Sequence, residues 1–252
     1  MNNIYIECPD GFVNQLRLSL AANYLVSHKI AKEAKQKWIL NNHNTVDYNK
    51  YFYQLKNVQM VDHIKNDNSI KTQSFTGMLH EINNNKIAAF RESYKDLKVK
   101  ENFSQIVDDF VNTNDISNTI GIHIRTGCKT ALLLTDKNRK QPINQNSLIN
   151  QLLYEDLKIF LATDNQETQN KWKSVFGSRL ICFAPIMSGD EMFFPPYDRD
   201  LVKRHTSDDH TVADFLILQR CKKFIGSNES SFSLAIKWIR NNYIDHNIGG
   251  VL

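Results

Sequence analysis

Nowhere in the 252 residues does an apolar run approach the ~18 residues that mark a membrane span. Met1 leads almost at once into the short stretch Ile4-Tyr5-Ile6, with no basic segment followed by a long apolar one. A membrane span and a signal segment are therefore not expected, and the location read from the sequence is cytoplasmic. Cysteine is scarce. Cys8, Cys128, Cys182 and Cys221 stand far apart with no C-x-x-C pair, which excludes zinc knuckles and thioredoxin-like redox chemistry and leaves them as reduced thiols. No run of lysine and arginine is interleaved with aromatics, so a net charge of +4 is too diffuse for nucleic acid, although it suits an anionic nucleotide. What is present, 41% hydrophobic and 23% charged residues, is ordinary globular composition. The length allows one large domain or two of about 110–130 residues, each with its own core.

The most informative stretch is Asp214 to Trp238. It reads as an apolar-periodic helix (Val212, Phe215, Leu216, Leu218), a short strand Phe224-Ile225, a polar turn Gly226 to Glu229, and a second helix opened by Ser230-Ser231. A strand that runs through a small-residue turn into a helix N-terminus aims backbone N–H groups and the positive end of the helix dipole at one spot, which suits a phosphate. Ser227, Ser230 and Ser231 would add hydroxyls. The plain alternative is an αβα unit whose serines cap a helix.

About a hundred residues upstream, Thr119 to Arg125 reads as a buried parallel strand by Ile120, Ile122 and Ile124, with His123 and Arg125 at its C-terminal end. Ligands of open α/β sheets bind at that end, and an arginine there calls for an anion. A lone strand histidine is more often a packed residue than a catalyst.

Four segments in order resemble the GDP-fucose-dependent fucosyltransferases, the group containing the protein O-fucosyltransferases and the α1,2- and α1,6-fucosyltransferases. His123-Ile124-Arg125 is similar to that family's H-x-R motif, and Gly11-Phe12-Val13-Asn14-Gln15 to its G-x-x-N-Q turn. Ile159 to Asp164 is similar to its F-x-A-T-D strand end, and Asp214 through Phe232 to its D…F-I-G-S…S-S-F-S block. His-x-Arg-x-Gly is nearer the protein O-fucosyltransferase pattern; the α1,2 and α1,6 branches carry an arginine and an aspartate where this chain has Thr126 and Cys128.

The resemblance implies an α/β protein of the GT-B glycosyltransferase type: two Rossmann-like domains with a cleft between them, the first facing the acceptor and the second holding GDP-fucose. The polar run Asn112 to Asn118 sets the boundary, giving domains 1–113 and 114–252, and the last helix is free to pack back on the first. The implied reaction is inverting transfer of L-fucose from GDP-fucose to a hydroxyl of a glycan or protein acceptor. Arg125 and Asp10 are the implied catalytic residues, Arg125 on the phosphates and Asp10 as base. The implied donor-binding set is Gly11, Asn14, His123, Arg125, Asp164, Asp214, Ser227, Ser230, Ser231 and Phe232, with His123 at the guanine end or ribose and Asp214 on guanine. Each has a bland counterpart: a turn aspartate at Asp10, helix-end residues at Asn14 and Asp164, a helix-face carboxylate at Asp214. No metal or other cofactor is expected, because Asp198-Arg199-Asp200 matches D-x-D only in a Pro-rich charged loop. Two other functions stay open: a glycosyltransferase using another nucleotide sugar, and an inactive nucleotide- or glycan-binding protein of the same fold.

Local patterns predict strands at 3–8, Trp38–Leu40, Val58–Val61 and Ile87–Phe90. They predict helices over Phe12–Ala34, Tyr48–Leu55, Thr72–Ile82 and Phe103–Val111. The second half alternates cleanly: strands at 119–125, 157–162, 179–183 and 224–226, helices near 146–155, 165–176, 209–220 and 231–243. That alternation predicts right-handed crossovers and a parallel sheet. Two long connections, Lys129–Asn146 and Ala184–Asp208, interrupt it, the second carrying the aromatic-proline cluster Met192 to Tyr197.

Overall fold

The computed structural model describes residues 2–8, 11–40, 46–62, 70–72, 86–125, 143–183, 206–227 and 230–240. The chain divides into two compact units, Met1–Gln105 and Ile106–Leu252. The division lies eight residues before the boundary read from sequence.

The first unit contains β1 (Asn2–Glu7), α1 (Phe12–Ser27), β2 (Ala31–Lys37), α2 (Tyr48–Tyr51), β3 (Val58–Met60), β4 (Ile70–Thr72) and α3 (Lys86–Tyr94). Helix α4 (Glu101–Thr113) runs across the division. The strands form a parallel sheet in the order β3-β2-β1-β4. Helix α1 is buried on nearly all sides, through Leu16, Leu18, Leu20 and Leu25.

Four expectations fail here. The helix begun at Phe12 stops at Ser27 and does not reach Ala34. Its end is a Schellman turn: Ile30 N–H bonds Leu25 O at 2.9 Å, Lys29 N–H bonds Val26 O at 3.0 Å, and Lys29 takes φ 57°. No glycine announces that turn. Residues 31–37, Ala-Lys-Glu-Ala-Lys-Gln-Lys, have helix propensity but pair with β1, burying Ala31, Ala34 and Gln36, so tertiary pairing overrides local preference.

The strand expected at Trp38–Leu40 lies just past β2 and joins no sheet. Gln15 takes the place of a neighbouring strand there, its amide donating to Ile39 O at 2.8 Å and accepting from Ile39 N–H at 2.9 Å. Ile87–Phe90 belongs to helix α3, which packs on α1 through Ala89, Phe90 and Ser93; a four-residue apolar run does not distinguish a strand from one turn of helix. The helix expected over Tyr48–Leu55 is a single turn ending at Tyr51, and the one expected over Thr72–Ile82 lies, beyond Thr72, outside the described residues.

The second unit follows the expected alternation. Its elements are β5 (Ile120–Ile124), α5 (Gln145–Leu152), β6 (Ile159–Thr163), α6 (Gln166–Phe176), β7 (Leu180–Ile181), α7 (Asp208–Leu218), β8 (Lys223–Gly226) and α8 (Ser231–Ile239). All strands are parallel, in the order β7-β6-β5-β8. Ile120, Ile122 and Ile124 face a core with Leu148, Ile149 and Leu152 of α5 and Trp172 and Phe176 of α6. The opposite face carries Gly121 and His123. A Cβ on Gly121 would lie 2.7 Å from Cys221 Sγ and 3.0 Å from Leu218 Cδ2, so glycine is what lets the end of α7 lie against the strand. Arg240 closes that end, its guanidinium donating to Leu218 O, Gln219 O and Lys222 O at 3.0 Å each.

Candidate phosphate-binding site at the sheet switch point

In the order β7-β6-β5-β8 the chain builds outward from β5 through β6 to β7, then crosses back to lay β8 on the other flank of β5. The carboxyl ends of β5 and β8 are therefore the switch point, where open α/β sheets leave a crevice. Arg125 follows β5 and Ser227 follows β8. Ser227 ties the two ends together: its N–H and its hydroxyl donate to His123 O, each at 3.2 Å, and its hydroxyl accepts from Arg125 N–H at 3.3 Å.

Helix α8 starts beside this junction. Ser230 occupies its N-cap position but makes no side-chain cap bond, and the first intrahelical bond is Leu234 N–H to Ser230 O at 2.9 Å. The N–H groups of Ser231, Phe232 and Ser233 thus precede the helical ladder. Ser230 is 3% exposed, and its hydroxyl has no hydrogen-bond partner among the described residues; the same is true of the buried Nε of Arg125. Buried polar atoms are nearly always paired in folded proteins. An unpaired donor on Arg125 at the end of β5 and another on Ser230 at the uncapped start of α8, on segments that Ser227 links, suit an anion with several acceptor oxygens.

His123 lies behind these groups and is 9% exposed. Its Nδ1 is 2.7 Å from Ser233 Oγ, and its ring stacks on Phe232 with centroids 4.6 Å apart. Phe232 in turn meets Phe215 of α7 edge to face at 5.4 Å. Burial pushes the His123 imidazole down to about 4, with Asp164 pulling it up and Arg125 pushing it further down, so the ring is neutral at physiological pH. Asp164 thus acts within electrostatic range of His123. It is not the cap of α6, because Asn165 fills that role by accepting from Thr168 N–H at 2.8 Å.

The remaining candidates are dispersed. Asp214 lies in the middle of α7 and does not open the helix, whose N-cap is Ser207. It borders a small recess with Thr163, Gln169, Cys182, Thr206 and His210, and that lining contains none of His123, Arg125, Ser227 or Ser230. Gly11 is the N-cap of α1 and Asn14 sits in that helix's first turn, both in the other unit. Asp10, the Asp198-Arg199-Asp200 triplet and most of the two long connections lie outside the described residues. Among the described residues no group of three or more His, Cys, Asp or Glu could hold a metal ion, and no helix is long and apolar enough to cross a membrane.

Ser233 and Thr163 fall inside the quoted motifs but are given no role there. Ser233 reads there as one more small residue in a helix, and only its third position, facing the histidine strand, marks it. Thr163 carries a buried hydroxyl without a partner among the described residues at the end of β6.

No family model matches the chain, and no curated protein matches it in sequence. Solved structures do match it. NodZ α-1,6-fucosyltransferase soaked with GDP-fucose aligns over 95% of this chain and 93% of its own, at 11% identity and TM-score 0.61. The fucosyltransferase NodZ from Bradyrhizobium gives 12% identity and TM-score 0.59 over 95% and 94% of the two chains. POFUT1 in complex with GDP gives 11% identity and TM-score 0.60 over 94% of each. The fold of this chain is the one these proteins share, the GT-B-type α/β class expected from the sequence.

Proposed function

We propose that the chain is a fucosyltransferase that moves L-fucose from GDP-fucose to a hydroxyl of a glycan or protein acceptor, with inversion at the anomeric carbon. The observation that carries this reading is two buried donors without a hydrogen-bond partner among the described residues, Arg125 Nε at the end of β5 and Ser230 Oγ at the uncapped start of α8. A diphosphate satisfies both and takes the N–H groups of Ser231 and Phe232. As the bond to fucose breaks, negative charge builds on the departing β-phosphate, and donors already aimed at those oxygens hold it without reorganising. In this reading Ser227 keeps Arg125 in place, Asp164 and His123 serve the ribose side, and Asp214 takes the guanine edge. The first unit faces the acceptor with Asp10 as base, while Gly11 and Asn14 belong to the donor-binding set.

Nucleotide preference tests this first. GDP is expected to raise the melting temperature more than UDP or ADP, with a stabilisation of roughly 2.7 kcal/mol at a free concentration 100 times Kd. Equal shifts with all three nucleotides would remove the guanine assignment.

Transfer is proposed to run without a metal, because a guanidinium and a helix N-terminus supply the positive charge a divalent ion would otherwise bring. Turnover of GDP-fucose is expected to persist in EDTA. Activity lost on chelation and restored by Mg²⁺ or Mn²⁺ refutes the metal-free route while leaving the donor assignment intact.

A further inference from the structure

We propose that Ser233 is a positioning residue: its hydroxyl donates to Nδ1 of His123, fixes the imidazole in the Nε2–H tautomer, and so presents an N–H donor to an oxygen of the bound nucleotide. The inference rests on the nucleotide reading above and names how that site orients one of its groups.

Three observations carry it. The Ser233 side chain is fully buried, and its hydroxyl meets only His123 among the described residues, at 2.7 Å. Were Nδ1 to carry the proton, Ser233 would accept it and leave its own O–H buried without an acceptor, which is costly; donating to Nδ1 satisfies both groups. The ring cannot turn away, since Phe232 covers its face and is itself wedged against Phe215. Gly226 completes the fit. A Cβ there would stand 2.5 Å from Ser233 Oγ and 2.8 Å from Ser233 Cβ, so the glycine is the notch into which Ser233 settles. The charges acting on the imidazole are Asp164 and Arg125, and no hydrogen bond engages Nε2 among the described residues. The group is therefore left for a ligand, and a fixed N–H selects a phosphate or ribose oxygen over a donor.

The test uses the full chain with ¹⁵N-labelled histidine, His123 being assigned with His123→Gln. Nitrogen shifts are read with and without GDP, beside GDP affinity by calorimetry. The expected spectrum shows an unprotonated Nδ1 and a protonated Nε2 whose N–H signal moves when GDP binds. Ser233→Ala is expected to mix the tautomers and weaken GDP binding about tenfold, the size of one lost oriented hydrogen bond. Ser233→Thr, which keeps the hydroxyl, is expected to restore the spectrum. An Nδ1–H tautomer in the unsubstituted protein, or a Ser233→Ala protein with unchanged spectrum and affinity, overturns the inference. The reversed tautomer with normal GDP binding leaves the nucleotide reading standing. The stated tautomer with no GDP binding supports the role of Ser233 toward His123 and overturns the nucleotide reading.

Discussion

Arg125→Lys is expected to lower kcat for fucosyl transfer by roughly 10²–10³, the usual loss when one charge-stabilising donor is removed from a transition state. The substitution keeps the charge, so the argument is geometric. Arg125 is held at the end of β5 by its own backbone, which donates to Ser227, while its Nε is buried with no hydrogen-bond partner among the described residues. A guanidinium in that position offers donors in a fixed fork able to meet two phosphate oxygens together. A lysine ammonium is a single point charge that must find its position on a flexible stem. Ser227 bonds the Arg125 backbone, which the substitution leaves in place, so folding should survive; circular dichroism and GDP affinity would be measured beside kcat. A folded Arg125→Lys enzyme retaining most of its kcat would show that Arg125 does not hold the leaving phosphate.

Gly226→Ala is expected to affect stability and the site together. The added methyl would lie 2.5 Å from Ser233 Oγ, 2.6 Å from Phe224 Cζ and 2.8 Å from Ser233 Cβ, closer than side-chain atoms pack. The aromatic ring can swing, but Ser233 sits on the first turn of α8, so relief comes by moving the helix start. Overpacking of this kind costs about 1–3 kcal/mol. The same displacement separates Ser233 from His123 and carries the α8 N–H groups away from Arg125. Urea unfolding should show the stability loss, and titration should show GDP binding weakened in the folded protein. A variant that loses stability but binds GDP normally would place the α8 N-terminus outside the nucleotide site.

The second unit was legible in the sequence because its signals agree. Ile120, Ile122 and Ile124 mark a face, Gly226 and Ser230 punctuate strand and helix, and alternation of the two element types implies the parallel order that the structure shows. The first unit was less so, because its elements are decided by contacts far along the chain. Ala31 to Lys37 becomes a strand only by pairing with β1, and Gln15 replaces a strand neighbour from within a helix. At the site, Arg125 and Ser230 could be expected to meet an anion, since a strand-end cation and a helix-opening serine are local signals. The burial of His123 against Phe232 and Ser233 could not, because a histidine in an apolar strand reads the same whether its edge faces a ligand or a neighbouring side chain. Asp214 lies inside α7, as the predicted span 209–220 implies, and the capping residue that fixes the helix start is Ser207, seven positions earlier.

Both sheets place their first strand in the interior and their last on its far flank, as β3-β2-β1-β4 and β7-β6-β5-β8. As the chain leaves the ribosome, β5 can gather β6 and β7 as they appear, but its remaining edge stays open until β8 and α8 emerge. The contact between His123 and Ser233 closes over 110 residues, so the loop entropy it must overcome falls due late in assembly. The junction of β5, β8 and α8 is thus the last part of its unit that can be completed, and a chain released before α8 has cleared the exit tunnel would hold most of a folded sheet without the candidate site.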